Sequence, residues 1–376
     1  MLVSCGEPSG DLYAGDLVHH LRPLAGDLDV FGLGGDRLRA ERSHLLAHVG
    51  DLAVVGLFEV LRHLRKLRAV FRSVLEEVDR RRPGVAVLVD YAEFNLRLAR
   101  ELKQRGVRIV YYVSPQVWAW RRGRLAAIRA SIAHMVVIFP FEESVYREAG
   151  VPVTFVGHPL VDLARPVADR ALFLAEHGLD GARPVLAVLP GSRRQEVAHN
   201  LAPIAGALRL LRAWRPDLQM ALAVAPSLDP RQLDGALGGL PVTRVAGHTH
   251  ALLSSASAGI VASGTATVEA TLMDLPFVAV YRLSPLTYVL GRPFVSVPHY
   301  AMPNLIVGRK VVNELIQKDF RPETVAVEAL ALLENEERRS SLRAGLAEVR
   351  KRLGGPGASS RAAAIVARLL VDAEKA

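Results

Sequence analysis

Arg193 and Arg194 follow a Pro190-Gly191-Ser192 breaker at the end of the apolar run Val185 to Leu189, and a helix-type pattern, Val197 to Leu211, starts directly after them. Strand, glycine turn and helix N-terminus place open N–H groups and the positive end of a helix dipole where an anion can sit. A guanidinium there adds a two-pronged grip on phosphate oxygens. A second small-residue turn, Ser263-Gly264-Thr265-Ala266, follows the apolar run Ala258 to Val261 and leads to Glu269. Glu269 falls about one and a half helical turns past Gly264. A carboxylate there can accept both hydroxyls of a ribose while the turn N–H groups hold a diphosphate. These residue types suit a nucleoside diphosphate bound by protein alone. No acidic pair is placed to hold a metal bridging the phosphates, so arginines and helix dipoles would stabilise a leaving diphosphate, and neither metal nor cofactor is expected.

The elements that must position these groups alternate along the whole chain. Met1 to Cys5 reads as a very short strand running into Gly6-Glu7-Pro8-Ser9-Gly10-Asp11, with Ser9 or Asp11 placed to cap the helix whose stripe is Leu12, Leu17, Val18 and Leu21. The next strand, Leu28 to Leu33, enters glycines that lack the spacing of a dinucleotide fingerprint. Leu57 to Val78 reads as one amphipathic helix, with an apolar stripe through Leu61, Leu64, Leu67, Phe71 and Val74 and a basic flank of Arg62, Arg65, Lys66, Arg68 and Arg72. Val85 to Val89 is a fully apolar strand ending in Asp90, and Val107 to Val113 ends in a loop carrying Trp118 and Trp120, residues suited to a core or to a cleft. His134 to Phe139 and Val153 to Val156 continue the alternation, and His158 reads as structural. The second half restarts it, with strands expected at 185–189, 218–224, 242–245, 258–262 and 277–281.

Such alternation predicts parallel, doubly wound sheets. We expect two Rossmann-like domains, 1–165 and 166–345, facing each other across a cleft, and a helical segment, 346–376, that packs back on the first domain. The 376 residues suit two domains of ordinary size. The formal charge of +9 calls for an anionic partner. Dispersed basic residues without a zinc-finger or RNA-recognition pattern argue against nucleic acid. Cys5 is the one cysteine, which excludes an intramolecular disulfide and a cysteine metal cluster. The sequence shows neither a signal peptide nor an apolar run of about 18 residues, so a cytosolic protein that does not span a membrane is expected.

Read end to end, the motifs resemble those of lipid-A-disaccharide synthases, inverting glycosyltransferases of GT-B architecture. The resemblance rests on Gly6-Glu7-Pro8-Ser9-Gly10-Asp11, Phe94-Asn95, Val113-Ser114-Pro115 with Val117-Trp118-Ala119-Trp120, Phe139-Pro140-Phe141-Glu142, Leu189-Pro190-Gly191-Ser192-Arg193, Ser263-Gly264-Thr265 and Met302-Pro303-Asn304-Leu305. It implies transfer of 2,3-diacylglucosamine from UDP to 2,3-diacylglucosamine 1-phosphate, giving a β-1,6-linked disaccharide and UDP. It also implies a UDP site formed by Ser192, Arg193, Gly264, Thr265 and Glu269, with Asn304 and Gln317 nearby. Asp90 matches the family's acidic position and is the implied base that takes the acceptor proton, with Glu7 and Ser9 as further catalytic candidates. Two departures stand out. Pro8 replaces a small alanine and stiffens the first loop, and Glu93 stands where an aspartate is usual.

Because both implied substrates carry acyl chains, the enzyme is expected to sit peripherally on the cytoplasmic face of the inner membrane. Arg62, Arg65, Lys66 and Arg68 would face its anionic lipid. The resemblance leaves a homodimer open. The competing enzyme readings are a UDP-N-acetylglucosamine 2-epimerase and a transferase with a different lipid acceptor.

Overall fold

The computed structural model describes residues 1–52, 59–118, 122–225, 228, 231–284, 288 and 297–374. Contacts divide the chain into two compact units, Met1–Pro159 with Leu353–Ala376, and Leu160–Arg352.

The first unit opens with β1 (Leu2–Ser4), α1 (Pro8–Ala25), β2 (Phe31–Gly34), α2 (Asp36–Ala40), β3 (His44–His48), α3 (Val49–Leu52) and α4 (Glu59–Arg81). It continues through β4 (Val85–Val89), α5 (Ala92–Gln104), β5 (Arg108–Tyr112), α6 (Leu125–Ser131), β6 (His134–Val137), α7 (Pro140–Glu148) and β7 (Val153–Phe155). The seven strands form one parallel sheet in the order β3-β2-β1-β4-β5-β6-β7. All five residues of β4 are buried, as expected of a strand covered by helices on both faces. The edge strand β3 was not expected from the sequence; its residues are half-buried or exposed and its apolar run, Leu45 to Ala47, is short.

Neither Ser9 nor Asp11 caps α1. Pro8 takes the first helical position, Glu7 precedes it in extended backbone, and Asp11 turns elsewhere. The buried Asp11 carboxylate accepts the N–H groups of Gly35, Arg37 and Leu38 at 2.6, 3.0 and 3.1 Å, and so caps α2 across the sheet edge.

The second unit holds α8 (Leu160–Leu163), α9 (Arg170–Glu176), β8 (Val185–Leu189), α10 (Arg194–Trp214), β9 (Gln219–Val224), α11 (Arg231–Leu237), β10 (Val242–Ala246) and α12 (Thr249–Ser255). After these come β11 (Ala258–Ala262), α13 (Thr265–Leu272), β12 (Phe277–Tyr281), α14 (Met302–Val307), β13 (Glu314–Ile316), α15 (Pro322–Glu334) and α16 (Glu336–Arg352). Its parallel sheet runs β10-β9-β8-β11-β12-β13. The three-residue edge strand β13 was likewise not expected.

The last helix, α17 (Ala358–Glu374), returns to the first unit and packs along α1. Arg361 fastens it, donating from Nε to the Val156 carbonyl at 2.9 Å and from its other nitrogens to Pro356 and Gly355.

Candidate functional site

In both sheets the strand order reverses direction at one place: between β1 and β4 in the first unit and between β8 and β11 in the second. There the loops leaving two adjacent strands diverge to opposite faces and open a crevice at the strand C-termini, where open α/β sheets bind ligands. Glu7 and Ser9 follow β1, and Asp90 follows β4. Ser192 and Arg193 follow β8, and Gly264 and Thr265 follow β11. Each sheet's switch point thus carries one cluster of the residues expected from the sequence.

In the first unit the two loops lie against each other. A Cβ on Gly6 would fall 2.4 Å from the Tyr91 ring, so only glycine lets the β1–α1 loop cross that ring. Burial, with the charge of Glu7 adding to it, raises the pKa of the Tyr91 hydroxyl above its ordinary value. Asp90 and Tyr91 have φ of 48° and 50°, two successive non-glycine residues in the left-handed region. Strain of this kind costs about 1–3 kcal/mol per residue and persists only where the surroundings over-determine it.

Here they do. The Tyr111 hydroxyl donates to the Asp90 carbonyl at 2.6 Å, Asn95 Nδ2 donates to it at 2.8 Å, and the Asp90 N–H donates to Tyr112 O at 3.0 Å. The fully buried Asn95 also accepts from Ser4 Oγ at 2.7 Å, and its amide faces the carbonyls of Ser4 and Val89, each at 3.2 Å. It thereby ties β1 to β4 across the switch point. Ser9 is half-buried in the first turn of α1. The backbone of the loop at Asp90 is held by these bonds.

Beyond β5, Val113 has φ 61°, and the loop it starts is anchored by a buried carboxylate. Glu142, in the first turn of α7, accepts from Ser114 Oγ at 2.6 Å, from Trp118 Nε1 at 3.1 Å and from the Phe139 N–H at 3.2 Å. Burial pushes its carboxyl up to about 7 despite these donors. Trp118 is therefore a core residue; Trp120 lies outside the described residues.

In the second unit, Gly191 has φ 124°, and a Cβ there would meet the Glu196 carboxyl at 2.6 Å. Glu196 reaches back to the turn, its Oε2 lying 3.2 Å from the Ser192 N–H and 3.5 Å from that of Arg193. Ser192 and Arg193 are both exposed at the mouth of α10. Gly264 (φ 137°) precedes α13, Thr265 is exposed, and Ser263 Oγ donates to Tyr300 O at 2.8 Å. The pairing of Leu189 with Val261 brings the two turns out of the sheet side by side, about 5 Å apart in strand spacing. Glu269 is half-buried, with Oε1 lying 3.0 Å from His250 Nε2. One of its oxygens is therefore already engaged, which narrows the expectation that it accepts two ribose hydroxyls.

Asn304 and Gln317 are placed differently from the rest. Asn304 is fully buried; its Oδ1 accepts the N–H groups of Val311 and Val312, and its Nδ2 donates to Val312 O and Glu314. Its amide is thus engaged within the chain, and Asn304 positions α14. Gln317 clamps the backbone of Leu283, accepting its N–H at 2.7 Å.

The residues that sequence reasoning missed are Asn95, Tyr111, Glu142, Glu196 and His250. Glu142 and Glu196 had a local signal: each stands at the third helical position, where an acid satisfies the preceding N–H groups. The others act through contacts far apart in sequence. Among the described residues no group of three His, Cys, Asp or Glu side chains is arranged to hold a metal ion, and no helix is long and apolar enough to cross a membrane. On α4, Arg65, Lys66 and Arg68 are exposed while Leu67, Phe71, Val74 and Val78 pack on the core. The side chain of Arg62 and the first residues of the expected helix, 57–58, lie outside the described residues.

The family model described as lipid-A-disaccharide synthetase matches residues 1–368. Similar curated proteins include the lipid-A-disaccharide synthase of Koribacter versatilis, 44% identical over 99% of this chain and 98% of its own length. That of Myxococcus xanthus is 42% identical over 98% and 97%. Among solved structures the fold resembles that of the UDP-GlcNAc 2-epimerase from Neisseria meningitidis, at a TM-score of 0.69 and 11% identity over 98% of both chains. It also resembles the calicheamicin glycosyltransferase CalG4, at 0.59 and 15% over 99% of this chain and 98% of that one. At such identities these structures speak for the two-domain α/β fold of GT-B enzymes.

Proposed function

The chain belongs to the lipid-A-disaccharide synthase family, and from that premise we propose that it transfers 2,3-diacylglucosamine from UDP to 2,3-diacylglucosamine 1-phosphate with inversion at the anomeric carbon. The observation that supports this reading is the pair of switch-point clusters, carboxylates in one unit and two glycine turns with Arg193 in the other. Asp90 takes the proton of the acceptor hydroxyl as it attacks, with Glu7 the alternative base at the same crevice. Arg193 and the N–H groups at Gly191 and Gly264 hold the diphosphate, and Glu269, oriented by His250, takes the ribose. The charge on the departing UDP is balanced by these donors, so the reaction needs no added divalent ion. The exposed basic residues of α4 hold the enzyme reversibly on anionic lipid at the cytoplasmic face of the inner membrane.

Incubating the full chain with both acylated substrates in the presence of EDTA, and resolving products by mass, tests the reading. A disaccharide 1-phosphate and UDP in equal amounts are expected. Turnover of UDP-N-acetylglucosamine to its 2-epimer in place of that product would overturn it.

A further inference from the structure

A groove of about 170 Å³ runs between α5 and α6 in the first unit. Its walls come from one face of each helix: Glu93, Arg97 and Arg100 on α5, and Ala127 and Ser131 on α6, with Arg124 just before it. These spacings of three, four and seven residues put the side chains in register along two neighbouring helices. Ala99 and Ala127 leave the room between them that larger residues would fill.

Three guanidiniums face this groove against a single carboxylate. Glu93 pairs with Arg124 at 2.6 Å, whereas Arg97 and Arg100 are exposed and have no ion pair among the described residues. Such a surplus of positive charge in a concave site favours an anion with several oxygens, and the guanidinium fork matches phosphate. The volume is below that of a pocket for a whole nucleotide or drug-sized ligand, typically about 300 Å³ or more, and suits a head group. The groove also starts beside the candidate base. Glu93, which pairs with Arg124, lies in the first turn of the helix that follows Asp90.

We propose that the α5–α6 groove is a phosphomonoester site in which Arg97, Arg100 and Arg124 bind the phosphate of the sugar acceptor while its reacting hydroxyl lies at Asp90. This rests on the acceptor assigned above. The site would let the first unit choose a phosphorylated acceptor by itself, independently of the donor.

The test compares wild type with the double variant Arg97→Gln/Arg100→Gln in two measurements. The first is the ratio of kcat/KM for the acceptor with its 1-phosphate to that for the same sugar without it. Loss of two charge-assisted contacts should lower that ratio by about tenfold to a hundredfold, through acceptor KM, with the KM for the UDP-sugar unmoved. A ratio unchanged by the substitutions would overturn the site. The second measurement is calorimetric binding of soluble glucosamine 1-phosphate to the full chain, which needs no turnover and so stands even if the assigned reaction fails. Binding by wild type that the double variant loses is expected, and absence of binding to wild type would overturn the proposal. If the variant instead loses only adhesion to vesicles containing phosphatidic acid, the groove serves the bilayer and its role as the acceptor's phosphate site is overturned, while the assigned reaction stands.

Discussion

Replacing Asn95 with alanine removes a side chain that joins β1, β4 and the Asp90 turn. Its two amide hydrogens are shared among the carbonyls of Ser4, Val89 and Asp90, and its oxygen accepts from Ser4 Oγ. Three satisfied bonds in a fully buried position are worth about 1 kcal/mol each, so the variant should lose about 3 kcal/mol. For a unit of this size that corresponds to a fall of about 6–12 °C in its unfolding midpoint. The strained pair Asp90–Tyr91 would lose one of its restraints and relax toward ordinary backbone angles, turning the carboxylate. A misplacement of about 1 Å costs on the order of a hundredfold in rate.

The assay has two arms, because a two-unit chain does not unfold in one step. Calorimetry resolves the transition of the first unit from that of the second, and UDP binding reports on the second unit directly. The expected pattern is a destabilised first unit, turnover down about tenfold to a hundredfold, and UDP affinity as in wild type. A first-unit midpoint within about 2 °C of wild type, with normal turnover, would show that Asn95 does not hold the turn.

Three further outcomes follow from the same geometry. Asp90→Asn keeps the shape of the side chain but cannot take a proton, so donor binding should persist while turnover falls on the order of a hundredfold or more; near-normal turnover would transfer the role to Glu7. Glu142 has a folded pKa raised by burial to about 7, so the stability it contributes is fully present at low pH and is lost as pH rises from its ordinary 4.5 through about 7. Glu142→Gln should flatten the fall of the unfolding midpoint across that window, and an unchanged slope would mean the carboxyl titrates normally. Replacing Arg62, Arg65, Lys66 and Arg68 with glutamine should weaken sedimentation with anionic vesicles, since each charge contributes about 1 kcal/mol near such a surface; wild-type sedimentation would remove this helix as the anchor.

The central strands were legible because they are buried on both faces and read as continuous apolar runs. Val85–Val89, Val185–Leu189 and Phe277–Tyr281 fall where their hydrophobicity says. The edges were not. His44–His48 is only half covered, and Glu314–Ile316 is three residues long, so neither has a local signature that a loop lacks. The turns at Gly191 and Gly264 were legible for the same reason as the strands, because glycine after an apolar run marks a tight exit. The carboxylates were harder. Asp11 looked like a cap for its own helix, yet its partners are residues 35–38; nothing within a few residues of it says so. Glu142 stood inside a quoted motif, but its burial against Ser114 and Trp118 depends on β5 and β6 being neighbours.

The residues that hold the two switch points share a chemical type, and the reason is electrostatic. In the first unit Asn95 spans β1 and β4. In the second, fully buried Asn200 donates to Pro190 O at the end of β8 and accepts the Arg282 N–H at the end of β12, on either side of β11. Each must serve carbonyls and a donor at once, which a carboxamide does and a carboxylate cannot. A charged residue would also fail the site. An aspartate at 95 would set a second negative charge beside Asp90, and like charges raise a carboxyl's pKa and compete for one proton. An aspartate at 200 would direct negative charge toward a turn whose use, on the proposed reading, is to attract phosphate. An amide fixes the backbone without adding to the field. The charge at each crevice is then set by the other groups there, Asp90 and Glu7 in one unit and Arg193 with Glu196 in the other.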